Sequence, residues 1–236
     1  MHMLHMAWQA SIAADNDNIW WSSFDGNMWS PPELLADRRS STSPALAGNY
    51  SGIYMAWKGV DNDNIWWSSF EGNIWSPPEL LTDRQSSTSP ALAGNYVGIY
   101  MAGKRGDNDT LWWSSFDGTT WSSPELLADR QSSTSPALAV DGNGVHMAWT
   151  ASITVDNDNI WWSSFDGFTW SPSELLADRQ SSTSPALAAI NDQLYMAWKG
   201  IEDDTLWWSS FDGTTWSPPE RLVDGRSSIS PALGSS

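Results

Sequence analysis

The segment Ile19-Trp20-Trp21-Ser22-Ser23-Phe24 returns in near-identical form, with its Trp-Trp pair beginning again at Trp66, Trp112, Trp161 and Trp207. Successive copies lie 46, 46, 49 and 46 residues apart. A fold built on such a chain must give five equivalent units equivalent surroundings. Repeats of this length, made of several short strands each, mark a β-propeller or a related array. No shift in composition interrupts the 236 residues, so one domain over 1–236 is expected. The tryptophans follow the same period. Four positions over five units give twenty, and 19 are present because Gly103 stands at one of them.

The second unit shows how a repeat becomes a blade. Thr42–Ala47 is small and apolar, and Ile53–Lys58, Asn64–Phe70 and Ile74–Leu81 are rich in aromatic and branched residues. Gly, Asn and Asp separate the four runs, as turns between strands require. Proline pairs and short run lengths exclude helices. We label the strands A to D from the axis outward, small residues suiting the crowded inner strand and prolines the outer edge. The units span about 4–41, 42–87, 88–133, 134–182 and 183–228. The chain starts at a strand B (Leu4–Trp8), and Ser230–Leu233 has the composition of a strand A. The expected fold is therefore all-β: a five-bladed propeller with four antiparallel strands per blade. Residues 229–233 complete the first blade by pairing with its N-terminal strand (1+3 closure).

Between strands C and D lies Ser210-Phe211-Asp212-Gly213-Thr214-Thr215-Trp216, with Asp25-Gly26, Asp117-Gly118 and Asp166-Gly167 as copies and Glu71-Gly72 as a variant. Asp-Gly between apolar runs is a hairpin signal, since Gly accepts positive φ and the carboxylate caps nearby amides. The segment resembles the Asp-box of sialidases, one residue shorter. All five units are similar to bacterial sialidase-like repeat propellers, and a five-bladed ring of this length resembles the tachylectin architecture, a lectin. Those resemblances imply a lectin-like propeller in which the Asp-box marks the fold.

Strands A and C run in the same direction, so the loops entering them emerge on one face. The first carries Asp37-Arg38-Arg39 and its copies; the second carries Asp15-Asn16-Asp17-Asn18 and its copies. Strand B ends there too. The residues expected to bind sugar are Trp8, Trp57, Trp149 and Trp198, with Arg38, Arg84, Arg130, Arg179 and Arg226, and Asp17, Asp63, Asp109, Asp158 and Asp204. Gly225 reads as an insertion ahead of Arg226. An aromatic plate against a sugar's C–H face, with planar donors and acceptors for its hydroxyls, is a workable recognition chemistry. The competing reading is structural: Asp-Arg pairs brace the loops and the tryptophans fill space between blades.

A net charge of −17 argues against nucleic acid as a partner. Without cysteine, disulfides and thiolate metal sites are impossible. No apolar run approaches the roughly 20 residues of a membrane-spanning helix. A glycosidase needs carboxyl groups in distinct roles, yet Glu33, Glu79, Glu125, Glu174 and Glu220 are equivalent, as are Tyr54, Tyr100 and Tyr195. The expected function is thus non-catalytic, multivalent glycan binding by a monomer, at a secreted or cell-surface bacterial location rather than in the cytoplasm. A recently amplified or engineered scaffold without a ligand is one alternative, and a sialidase-like hydrolase the other. No cofactor is expected; calcium at the Asp-Asn-Asp-Asn loops is the exception considered, weakened by the absence of a Gly and a closing carboxylate.

Overall fold

A computed structural model describes residues 4–10, 17–152 and 158–233. Blade 1 contains β1 (Leu4–Gln9), β2 (Asn18–Phe24) and β3 (Glu33–Arg39). Blade 2 contains β4 (Ala45–Asn49), β5 (Gly52–Lys58), β6 (Asn64–Glu71), β7 (Ile74–Trp75) and β8 (Glu79–Gln85). Blade 3 runs through β9 (Ala91–Gly94), β10 (Ile99–Lys104), β11 (Thr110–Phe116) and β12 (Glu125–Gln131). Blade 4 has β13 (Ala137–Asp141), β14 (Gly144–Thr150), β15 (Asn159–Phe165) and β16 (Glu174–Gln180). Blade 5 has β17 (Ala186–Ile190), β18 (Gln193–Lys199), β19 (Thr205–Phe211) and β20 (Glu220–Arg226). Each is an antiparallel meander, and the chain is a five-bladed, all-β propeller. The extra strand β7 arises where Glu71 replaces Asp. Gly72 (φ 58°) and Asn73 (φ 71°) both turn left-handed there, the type I′ geometry whose twist suits a tight hairpin.

The outer strand begins later than its composition suggests. In blade 2 it runs over Glu79–Gln85, after Pro77-Pro78, because proline has no N–H to give the ladder. It also runs further. In blade 1, Ile19 pairs with Leu35 and Asn18 with Arg39, so Ala36, Asp37 and Arg38 form a bulge within β3 rather than the D–A loop.

The inner strands β4, β9, β13 and β17 touch in sequence round the axis, where small residues permit close approach. A central cavity of about 400 Å³ is lined by Leu46, Leu92, Leu138 and Leu187, with Leu4 and Leu233. Leu233 thus lies at the axis beside the first blade. The expected ladder between Ser230–Leu233 and β1 is nevertheless not formed among the described residues, and the first blade is a three-stranded sheet.

The core is distributed over the seams between blades. Four apolar clusters fill the seams 1/2, 2/3, 3/4 and 4/5. The leading face of a blade contributes its strand B methionine: Met55, Met101, Met147 and Met196 are each 0% exposed. In blades 1 to 4 the second tryptophan of the pair reaches into the following seam. Trp21 stands 4.7 Å from Phe70 and edge-on to Trp75 at 5.6 Å, and Trp162 repeats this with Phe211 and Trp216 at 4.7 and 5.5 Å. Such tilted pairs add about 0.5–1.5 kcal/mol to the area they bury.

Candidate functional site

The bulge in the outer strand of blades 1 to 4 turns one arginine into the next seam. Arg38 is 3% exposed, as are Arg84, Arg130 and Arg179. Its Nη1 pairs with Asp37 at 2.5 Å, and its Nη2 donates to Ser68 Oγ (3.0 Å) and the Ser76 carbonyl (2.6 Å) of the next blade. The guanidinium also lies 6.0 Å from the Trp57 ring and 5.8 Å from Trp75. Arg130 and Arg179 repeat the sandwich with Trp149 and Trp170, and with Trp198 and Trp216. Burial pushes these guanidinium groups down from their ordinary pKa, and the neighbouring aspartate pushes back. Ser173 stands where the other copies have Pro32, Pro78, Pro124 and Pro219. Its Oγ accepts from Arg130 Nε at 3.2 Å.

Above Arg38, Arg84 and Arg130 a shallow cleft opens at the rim. At the 1/2 seam its volume is about 230 Å³, and it is lined by Ala36, Asp37, Arg39, Trp57, Gly59, Asp61, Asn62 and Trp66. At the 3/4 seam the equivalent residues Ala128, Asp129, Gln131, Trp149, Ala151 and Trp161 line about 170 Å³. The end of an outer strand and the B–C loop of the next blade therefore meet on one face. The half-buried indole of Trp66 or Trp161 forms the wall, and the exposed carboxylate of Asp37 or Asp129 stands beside it.

The site residues expected from sequence fall into different places. Trp57, Trp149 and Trp198 are each 2% exposed, so they floor the seam and offer no open plate. Trp8 is half-buried. Arg38, Arg84, Arg130 and Arg179 are internal braces. Arg226 is not their equivalent. It pairs with Thr205 as Arg39 pairs with Asn18 and Gln180 with Asn159, so Gly225 occupies the bracing position by replacement and no residue is inserted. Asp17, Asp109, Asp158 and Asp204 adopt φ of 56–71°, and their carbonyls accept from Ser40, Ser132, Ser181 and Ser227. Asp63 likewise accepts from Ser86, and its side chain pairs with Lys58 at 3.1 Å. Asp17 accepts from Gln9 at 3.0 Å, Asp204 pairs with Lys199 at 2.9 Å, and Asp109 with Lys104. These aspartates shape the B–C turn. Asp15, Asn16 and Asp156 lie outside the described residues. No group of three acidic or histidine side chains is placed to hold a metal among the described residues. Sequence reasoning misses the rim positions Trp66 and Arg39. The signal for Trp66 is its place in strand C, one residue from the seam-facing Ile65 and Trp67, which sends its side chain to the opposite face.

Several solved structures superpose on nearly the whole of this chain. A mutant Aleuria aurantia lectin in complex with Fucα1-6GlcNAc matches at a TM-score of 0.70 and 12% identity, over 99% of this chain and 80% of that one. An Aleuria aurantia lectin described as six-bladed matches at 0.65 and 11%, over 99% and 83%. The chain has the fold of a β-propeller. AofleA from Arthrobotrys oligospora matches at 0.68 and 9%, over 95% of this chain and 70% of that one. No protein-family model matches, and no curated protein does either. At these identities the likeness is one of backbone, and the seam residues have to be judged on their own geometry.

Proposed function

We propose that this chain is a non-catalytic, multivalent carbohydrate-binding protein whose sites lie in the rim clefts between blades. The observation that carries this is the recurrence of one constellation, an accessible indole beside an exposed carboxylate: Trp66 with Asp37, Trp161 with Asp129. The indole suits the apolar C–H face of a pyranose, and the carboxylate accepts charge-assisted hydrogen bonds from its hydroxyls. Several equivalent weak sites on one rigid ring gain avidity on a glycan-coated surface, up to about 10²–10⁴-fold. The Aleuria aurantia lectin complexes with Fucα1-6GlcNAc and α-methyl-L-fucoside support a neutral sugar as the ligand class. Glu33, Glu79, Glu125, Glu174 and Glu220 all stand exposed at the start of an outer strand, so none of these five has the distinct setting a glycosidase acid requires. Binding of this kind needs no cofactor and only one chain, and it belongs at a secreted or cell-surface position. No helix among the described residues is long and apolar enough to cross a membrane.

The test is a glycan array read with wild type and with Trp66→Ala/Trp161→Ala/Trp207→Ala. Loss of glycan signal in the triple variant, with a folded circular-dichroism spectrum retained, is expected. Trp57→Ala, by contrast, empties a packed seam and costs about 3–5 kcal/mol of stability. Undiminished binding by the triple variant, or a wild type that binds no glycan, would overturn the assignment.

A further inference from the structure

The seam between blades 2 and 3 differs from the others in three coupled residues. Gly103 replaces the tryptophan that floors the others, and a Cβ there would lie 2.4 Å from Cζ2 of Trp112. Trp112 has therefore sunk into the vacated space: it is 2% exposed, and its Nε1 donates to the Gln85 carbonyl at 2.8 Å. Trp66 and Trp161 remain half-buried at the rim.

With the indole wall gone, a third position is released. Elsewhere it holds Ala10, Gly59, Ala151 or Gly200. On Gly59 a Cβ would come within 3.3 Å of Trp66 Nε1, and on Gly200 within 3.2 Å of Trp207 Nε1. In blade 3 the residue is Arg105, and it lines a cleft of about 450 Å³, larger than its counterparts of about 230 and 170 Å³. Its Nε and Nη2 donate to the two carboxylate oxygens of Asp107 at 3.0 and 2.8 Å. Its Nη1 makes no hydrogen bond among the described residues, and the side chain is 43% exposed. A guanidinium presents five N–H groups in a planar fork, so one edge can hold Asp107 while the other receives a second anion in bidentate fashion. The other two cations are occupied. Arg84 is held by Asp83, Ser114 and Ser122, and Lys104 by Asp109.

We propose that the 2/3 seam binds an acidic saccharide through its carboxylate, held on the open edge of Arg105, while the indole-walled seams bind neutral sugars. This rests on the rim-cleft assignment above and gives one of its sites a different ligand class. The exchange is chemically coherent: in the seam that lost its stacking surface, the small residue of the other blades has become a cation.

Methyl β-D-glucuronide, glucose 6-sulfate and α-methyl-L-fucoside, each titrated into the full chain by calorimetry, test this. The variants are Arg105→Gly, which restores the small residue of the other blades, and Arg105→Lys. Arg105 is exposed enough that neither change threatens the fold. Glucuronide should bind at one site per chain, weaken about tenfold or more in Arg105→Gly and less in Arg105→Lys, and weaken with added salt. Fucoside binding should be the same in all three proteins. Equal glucuronide affinity in wild type and Arg105→Gly overturns the proposal, as does fucoside binding without any glucuronide binding; the lectin assignment survives both. A sulfated sugar that binds tighter than the glucuronide overturns the choice of a carboxylate. If neither neutral nor acidic sugar binds, the lectin assignment falls as well.

Discussion

Asp117 holds its hairpin together through one oxygen. Its Oδ1 accepts from the Thr119 and Thr120 amides at 2.8 Å each and from Thr119 Oγ1 at 2.7 Å, around Gly118 at φ 98°. Asp212 does the same with Thr214 and Thr215. The Thr120 and Thr215 amides lead in holding these carboxyls at about 2, below the ordinary 3.8. Because the folded value is depressed, the stabilisation is complete above the unfolded value and is lost as pH falls through about 2. The melting temperature of wild type should therefore fall between pH 4 and pH 2, and that of Asp117→Asn/Asp212→Asn should start lower and fall less steeply. Thermal melts by circular dichroism would show it; parallel curves would mean that these carboxylates are not linked to unfolding. The same capping geometry recurs at Asp25 and Asp166, whose oxygens each accept from two amides.

At the scale of strands, the bulge in the outer strand decides what each seam contains. Arg130→Met keeps much of the side-chain volume but removes donors from Ser163 Oγ, the Ser171 carbonyl and Ser173 Oγ. Charge-assisted bonds in a buried seam make this cost about 2–4 kcal/mol, or roughly 5–15 °C of melting temperature. Arg39→Met is the control. Arg39 is exposed and meets Asp17 only at 3.5 Å, so its loss should cost about 0–1 kcal/mol. Equal melting temperatures for the two variants would show that the seam arginines do not brace the blades.

The bulge also marks where sequence stops being informative. Blade number, strand number, small inner strands and the Asp-Gly hairpins are all readable, because each is a local pattern copied five times. The direction of each side chain is not. Blades are covered on both faces, so the strands lack the polar–apolar alternation that would tell Trp57 from Trp66. A three-residue bulge then resets the register without any composition of its own, and Arg38 passes for a loop cation when it is a buried brace. Gly225 passes for an insertion for the same reason, although Ser227 keeps the 46-residue spacing from Ser181.

Across the whole ring, four seams are closed and one is not. At the edge of blade 1 that would meet blade 5, Met6 is 46% exposed and Leu4 52%, against 0% for the other strand B methionines. On the facing side Leu222 is 49% exposed, against 5% for Leu35, Leu127 and Leu176. The two faces are the halves of the interface that the other seams close, so apolar burial favours joining them. What the open seam lacks is its brace: Gly225 stands where Arg38, Arg84, Arg130 and Arg179 cross the others. Ser22 Oγ and the Ser30 carbonyl, the acceptors such a brace would use, already stand in the repeated arrangement at 2.8 Å. Gly225→Arg should therefore stabilise the molecule. A Cβ there meets only the Leu222 side chain, at 2.8–3.0 Å, and that exposed chain can move aside. We expect a gain of about 1–2 kcal/mol, roughly 2–8 °C in melting temperature. In native-state hydrogen exchange, β1 and β20 of wild type should exchange ahead of β11 and β15, and the substitution should slow β1 and β20 selectively. A variant no more stable than wild type, with exchange unchanged at β1 and β20, would mean that the missing guanidinium is not what leaves the seam open.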